Sequence, residues 1–251
     1  MTLLLAGGLF LAVLLFLEIG RRIGCAALAK ESKESASGAG AIDAAVYGLL
    51  ALLIAFTFSG AATRFEARRH LITEEANAIG TAFLRLDLLP EGPRLMLKEK
   101  FRQYVDTRLE VYRNLPDIEA AKAALARSAA IQSEIWSESI TASREIFPQP
   151  AAILLLPALN QMIDITTTRS VAMQNHPPSI IFIMLIFLAL LSALLAGYSM
   201  ACSSSKIHML VFAAILSITV YVILDLEYPR LGLVQINTAD QVLVEVRQSM
   251  K

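Results

Sequence analysis

The sequence predicts an all-α membrane protein: four transmembrane helices in two pairs, with a helical extramembrane domain between spans 2 and 3. Three observations predict it. Apolar residues make up 56 % of the 251 and charged ones only 18 %, below the roughly 25 % of an ordinary soluble domain. The charges concentrate between residues 60 and 175, while long flanking stretches have almost none. The apolar spacing is helical nearly everywhere, with no competing strand alternation. These patterns divide the chain into transmembrane helices 1 and 2 (1–62), an extramembrane helical domain (63–177), transmembrane helices 3 and 4 (178–227) and a C-terminal tail (228–251).

The first apolar run covers residues 2–17, and Glu18, Arg21 and Arg22 follow it. A secretory signal peptide would carry its basic residues before the apolar run, so an uncleaved span is the preferred reading. Residues 30–40 (KESKESASGAG) form a polar Ser/Gly loop. The second span covers 42–62, with Asp43 at its N-terminus, where a carboxylate suits the helix dipole. Ala44 and Gly48, four apart, predict a close helix approach in lipid.

Nothing breaks the helix after Ala62. Phe65, Ile72, Ile79 and Leu86 recur every seven residues, with Ala76 and Phe83 beside them. One long helix is therefore expected to leave the membrane and end at Pro90. A second soluble helix presents Leu97, Phe101, Val105, Leu109 and Tyr112 on one face. A third starts at the N-cap Asp117 and runs to about Phe147, anchored by Leu125, Ile131, Ile135 and Trp136. A fourth covers 152–173, with an expected kink at Pro157. The third span covers 179–201 without a charge and carries a small-residue stripe of Ala189, Ala193 and Gly197. The fourth covers 207–224, closed by Asp225, Glu227 and Pro229. In the tail, Thr238 and Gln241 have capping-box spacing for a short amphipathic helix.

The net charge is zero and no basic stripe appears, which disfavours nucleic acid as a partner. Cys25 and Cys202 form neither a metal-spaced pair nor a disulfide framework. There is no nucleophile elbow, phosphate-cradling glycine loop, HExxH pair or CxxC. The expectation is therefore no enzyme, no catalytic or metal-ligating residues and no cofactor. Spans without mid-membrane charge also argue against an ion-coupled carrier.

His70 and Glu74 lie four apart, a spacing that can hold a metal, but no second pair accompanies them; a solvated or ion-paired helix face is the simpler reading. Glu75 and Asn77, with Glu74, Arg64, Arg68, Arg69 and Arg85, make one helix strongly polar away from its apolar stripe. Asn160, Asp164 and Arg169 sit among apolar residues on the fourth soluble helix. The expected role is a buried polar network that pairs with the arginines of the first, since unpaired buried charge is costly. Tyr228 suits the membrane interface, and Arg230 can pair with Asp225 or Glu227.

Basic residues favour the cytoplasmic side, counted over short loops. Arg21, Arg22, Lys30, Lys33 and Lys206 lie in the two short loops, so both termini and the helical domain are expected outside the cytoplasm.

The stretch RFEARRHLITEEANAIGTAFLRLDLLP, with LNQMIDITTTR and LDLEYPRLGLVQI downstream, resembles a bacterial family of uncharacterised membrane proteins with a bestrophin-like domain. The resemblance runs from the second span to about residue 245, and EANAIGTAFLR is its most specific part. It implies the bacterial inner membrane and a distant relation to pentameric anion channels, hence a homo-oligomer with small anions as permeant species. Bestrophins keep their helical domain in the cytoplasm, opposite to the charge count, so both orientations stay open. On this reading Arg64, Arg68 and Arg69, repeated around an axis, form a ring that attracts anions at a pore mouth. The alternative is a non-conducting scaffold or envelope sensor whose helical domain binds a partner.

Overall fold

A computed structural model of the chain describes residues 2–29, 39–114, 117–144, 150–201, 206–229, 233–234 and 237–250. These residues form helices and turns, with no strand among them. In chain order the helices are α1 (Thr2–Leu28), α2 (Ala39–Arg85), a 3-10 turn (Leu86–Leu88), α3 (Glu91–Arg113), α4 (Ile118–Arg144), α5 (Pro150–Gln174), α6 (Ser179–Ser199), α7 (Lys206–Glu227) and α8 (Asn237–Ser249). Four stretches are helical, long and apolar enough to cross a membrane, and they fall on α1, α2, α6 and α7. The protein is thus an all-α, four-span membrane protein.

The chain divides into two compact units. The first comprises Met1–Phe65 and His176–Val234, the second Glu66–Asn175 and Gln235–Lys251. Residues 237–249, expected in a tail of their own, form α8 and group with the second unit.

In the first unit, α1 outruns its apolar segment. Glu18 pairs with Arg21 and Arg22 on the helix surface, each at 2.8 Å, so the three charges offset one another and do not stop the helix. Leu9, Val13 and Leu17, four apart, pack with Leu185, Leu188, Ala189 and Ala193 of α6 and with Ala213, Leu216, Val220 and Ile223 of α7. Between helices in lipid, close van der Waals packing replaces the hydrophobic drive. Glycines supply that closeness. A Cβ at Gly20 would strike the Leu194 carbonyl, and one at Gly197 the Leu17 carbonyl.

The expected approach at Ala44 and Gly48 is not used inside the chain. Both residues are exposed, and no atom lies within 4 Å of a Cβ built at Gly48. Outward residues such as Leu4, Leu11, Phe56, Phe187 and Ile215 are large and apolar, as hydrocarbon surroundings demand.

In the second unit the heptad stripe Ile72, Ile79 and Leu86 is buried with Ala76 and Phe83. It is complemented by Leu97, Phe101, Tyr104, Val105 and Leu109 of α3. The Phe83 and Phe101 rings meet edge-on with centroids 6.0 Å apart. Burying each such large side chain contributes about 1.5–3 kcal/mol. Asp117 caps α4: its Oδ1 accepts the Glu119 and Ala120 N–H groups at 3.1 and 3.0 Å. The buried face of α4 is built from Ala121, Ala124, Ser128, Ile135, Ser139, Ala142 and Ser143. Leu125, expected as an anchor, is exposed, because the small residues of the neighbouring face let α4 lie closer.

Helix α5 starts with Pro150, where the missing N–H costs nothing, and continues through Pro157, which is exposed. Leu155, Ala158, Leu159 and Met162 are its buried side. Helix α8 docks on α3. Arg247 makes a two-pronged pair with Asp106 at 2.8 and 2.9 Å, and Arg102 donates to the Met250 carbonyl at 2.9 Å. Leu243 and Met250 are buried. The region around Phe147 and Pro148, and Cys202 and Arg230, lie outside the described residues, as do the side chains of residues 237–239 with Thr238 among them.

Gly197→Leu forces a side chain against backbone and is expected to cost at least about 2 kcal/mol, whereas Gly7→Leu, on an open helix face, stays within about 0.5 kcal/mol. Thermal melts of the purified protein in detergent check this. Equal melting of the two variants would contradict the close α1–α6 approach.

Candidate functional site

Among the described residues, each unit holds a cluster of buried charge. In the second unit the hub is Glu75 on α2, which is fully buried. Arg108 Nε of α3 donates to its Oε1 at 2.7 Å, and Arg169 Nη1 of α5 donates to its Oε2. Arg108 Nη2 also donates to the Tyr112 hydroxyl at 2.9 Å. Both guanidiniums lie over the Tyr112 ring, Arg108 at 5.6 Å and Arg169 at 4.6 Å from its centroid, within cation–π range. The Tyr104 hydroxyl is buried here with no hydrogen-bond partner among the described residues.

Burial by itself pushes the Glu75 carboxyl up, but the guanidiniums of Arg108 and Arg169 outweigh it and hold the group below its ordinary value. Burial, and then the Glu75 charge, push the Tyr112 phenol up, and Asp240 of α8 adds to the shift. Burial pushes Tyr104 up as well. The cluster therefore joins α2, α3 and α5 through one ionised carboxylate, with two cations for one anion.

Arg68 performs a separate task in this unit. It is almost fully buried and donates to the carbonyls of Ala172 and Asn175 at 3.2 and 3.0 Å. These are orphan acceptors at the C-terminal end of α5, which a cation suits.

In the first unit the hub is Glu227, at the end of α7 and fully buried. Arg64 donates to Oε2 from Nε at 2.9 Å and from Nη2 at 2.7 Å. His176 Nδ1 donates to Oε1 at 2.8 Å, and the His176 ring stacks on Tyr228 with centroids 4.7 Å apart. Asp225, also buried, accepts the backbone N–H groups of Leu233 and Val234 at 3.1 and 2.8 Å. The pairing expected for Arg230 thus lies outside the described residues, while these two carboxylates have other partners.

The sequence-derived candidates are scattered between the two clusters and the surface. Glu75 and Arg169 meet directly. Arg64 lies with Glu227, and Arg69 is exposed and bonded to Glu66 at 3.0 Å. Asn77, Asn160 and Asp164 are exposed. The network expected to join Asn160 and Asp164 to the arginines of the first soluble helix does not form, because their face of α5 points away from the side carrying Leu155, Leu159 and Met162. Arg169 shares that buried side, and its partner is an acid, Glu75. His70 and Glu74 form an exposed contact at 3.1 Å. No metal-holding group of acidic, His or Cys residues occurs among the described residues.

Arg108, Tyr112, His176 and the buried state of Glu227 escape a reading of composition and motifs. A signal for one of them was present. Arg108 sits on the apolar stripe of α3, seven residues after Phe101, where a charge must find a buried partner.

A family model described as Bestrophin-like domain matches residues 31–241. The chain belongs to the bestrophin-like family. No curated protein and no solved structure matches it. In this bestrophin-like protein both charge clusters fall within the matched stretch, whereas α1 precedes it.

Glu75→Gln leaves two buried guanidiniums without a carboxylate and is expected to cost about 3–5 kcal/mol, read as a lowered melting temperature in detergent. The native pair also has a pH signature. Because the folded-state value of Glu75 lies below its unfolded value of 4.5, its stabilisation is complete above that pH and disappears as pH falls through the depressed value. The wild-type melt should therefore fall in acid more steeply than that of Glu75→Gln. Parallel pH profiles would remove Glu75 from the stabilising network.

Proposed function

We propose that this bestrophin-like protein is an oligomeric channel of the bacterial inner membrane that passes small anions. The observation that carries the reading is the bare face of α2. Ala41, Ala44, Gly48, Ala51 and Ala55 alternate three and four apart, and all are exposed. Small residues at that spacing let a second helix approach closely in lipid, and the family relation is in keeping with an assembly in which copies surround an axis. Residues 44–62 and 179–201 carry no charged side chain, so a polar path belongs on a symmetry axis between copies, where each copy repeats its contribution.

An arginine ring built from Arg64, Arg68 and Arg69 gains little support from the geometry. Arg64 is engaged by Glu227, Arg68 is buried on carbonyls, and Arg69 alone of the three is exposed. Arg69 is accordingly the residue through which the ring reading is tested.

The second reading is a non-conducting scaffold or envelope sensor. It is favoured by Leu84, Leu88, Leu95 and Met96 of the second unit, which are 69, 39, 57 and 48 % exposed. A cluster of exposed large apolar groups outside the spans suits a protein partner.

Reconstituted in liposomes, the protein is expected to pass chloride. Ala51→Trp should reduce both the flux and the oligomer population on the order of tenfold, by blocking close helix approach. Arg69→Glu should lower chloride flux without changing the assembly. A protein that is monomeric in detergent and silent at every pH and voltage would overturn the channel and favour the scaffold.

The positive charge of Arg21, Arg22 and Lys206 supports a cytoplasmic position for the two short loops. A membrane-impermeant maleimide is then expected to label Cys25 and Cys202 only after permeabilisation of the cells. Labelling of intact cells would reverse the orientation.

A further inference from the structure

In the first unit a cavity of about 170 Å³ opens along α2 beside α6 and α7, walled by Leu53, Phe56, Gly60, Ile181, Phe182 and Ile223, with Arg64 at its end. Apart from that arginine the wall is apolar. Thr57 adds no free donor, because its hydroxyl donates back to the Leu53 and Ile54 carbonyls at 2.8 and 3.0 Å. From Leu53 to Arg64 the helix climbs about 16 Å at 1.5 Å per residue. That is half of the ~30 Å hydrocarbon thickness of a bilayer, the depth of one leaflet. Arg64 directly follows the apolar span, so the cation lies where the hydrocarbon ends.

The guanidinium is fixed and only partly used. Its Nε and Nη2 are held by the buried Glu227 carboxylate, while Nη1 has no hydrogen-bond partner among the described residues. Gly60 leaves Nη1 its room, since a Cβ there would stand 3.2 Å from it. Arginine presents its N–H donors in a rigid plane that matches phosphate oxygens. Because Glu227 is fully buried, an approaching anion meets the outward edge of the guanidinium.

We propose that this groove binds an anionic glycerophospholipid of the surrounding bilayer, one acyl chain along the Phe56–Gly60 wall and the phosphate on Nη1 of Arg64. An apolar slot one leaflet deep, ending in a fixed cation with free donors, matches both ends of such a molecule. A headgroup carrying a quaternary ammonium brings a second cation toward Arg64 and is the poorer fit. The occupant acts as a structural lipid that fills the space between α2 and α6.

Native mass spectrometry of the full-length protein, released from micelles doped with phosphatidylglycerol or phosphatidylcholine, tests the proposal. One phosphatidylglycerol per protomer is expected to be retained, with phosphatidylcholine retained about tenfold less, because its phosphate makes the same contact while its quaternary ammonium brings a second cation toward Arg64. Gly60→Leu covers Nη1 and Ile181→Trp fills the slot, and each should reduce phosphatidylglycerol retention to the phosphatidylcholine level. Ile218→Trp, on the exposed side of α7, should leave it unchanged. Where Gly60→Leu does not fold, Gly60→Ala takes its place. Equal retention of the two lipids, undiminished retention in both groove variants, or displacement of the lipid by excess inorganic phosphate would each overturn the assignment.

Discussion

Hydrocarbon cannot hydrogen-bond to a peptide group, and that constraint shapes the first unit. A chain segment in the bilayer must satisfy its N–H and C=O groups internally, so α1, α2, α6 and α7 are helices throughout their apolar segments. With lipid as solvent, apolar side chains gain nothing by turning inward, and Phe56, Phe187 and Ile215 stay outside. What holds α1 against α6 is closeness, obtained where Gly20, Gly24 and Gly197 remove side chains from the contact. The same constraint governs the polar residues at the ends of the spans. Asp225 takes backbone donors, and Glu227 takes Arg64 and His176.

The second unit solves a different problem. The apolar stripes of α2, α3 and α5 are buried together there, and buried charge has to be accounted for separately. Glu75, Arg108 and Arg169 are taken out of water together, and the attraction within such a group roughly offsets its desolvation. Removing one member is costly even though the whole group adds little net stability. Its value lies in pairing one specific turn of α2 with one turn each of α3 and α5. Arg68 on the end of α5, and the Arg247–Asp106 pair that docks α8, serve the same registering purpose.

These engagements bear on function. In a bestrophin-like protein, arginines invite an assignment to anion handling, yet Arg68, Arg108 and Arg169 are committed to helix ends and a buried acid. The unfilled features lie on α2 in the first unit: a bare face of small residues and, beside Gly60, a guanidinium edge. On the proposed reading the first faces other copies of the chain and the second faces lipid.

The helical class, the four spans and the long α2 follow from the sequence alone, because apolar run length and period are local properties and the bilayer makes helix the only answer. The heptad stripe of Ile72, Ile79 and Leu86 was legible for the same reason. Which small residues touch was legible in part: the Ala189, Ala193 and Gly197 stripe is buried as expected, whereas Ala44 and Gly48 carry the same local signal and stay open, because only the placement of a second helix separates the two. The Glu75 cluster was legible by halves: Glu75 and Arg169 stood out as charges among apolar neighbours, but their meeting, and the entry of Arg108 and Tyr112, spans up to 94 residues of sequence. Asn160 and Asp164 carried the same local signal and stayed at the surface, because only the packing of α5 decides which side of a helix is buried. Tertiary structure alone settles a charge's partner, since that partner is set by distance in space and the pairing energy falls away within a few ångströms.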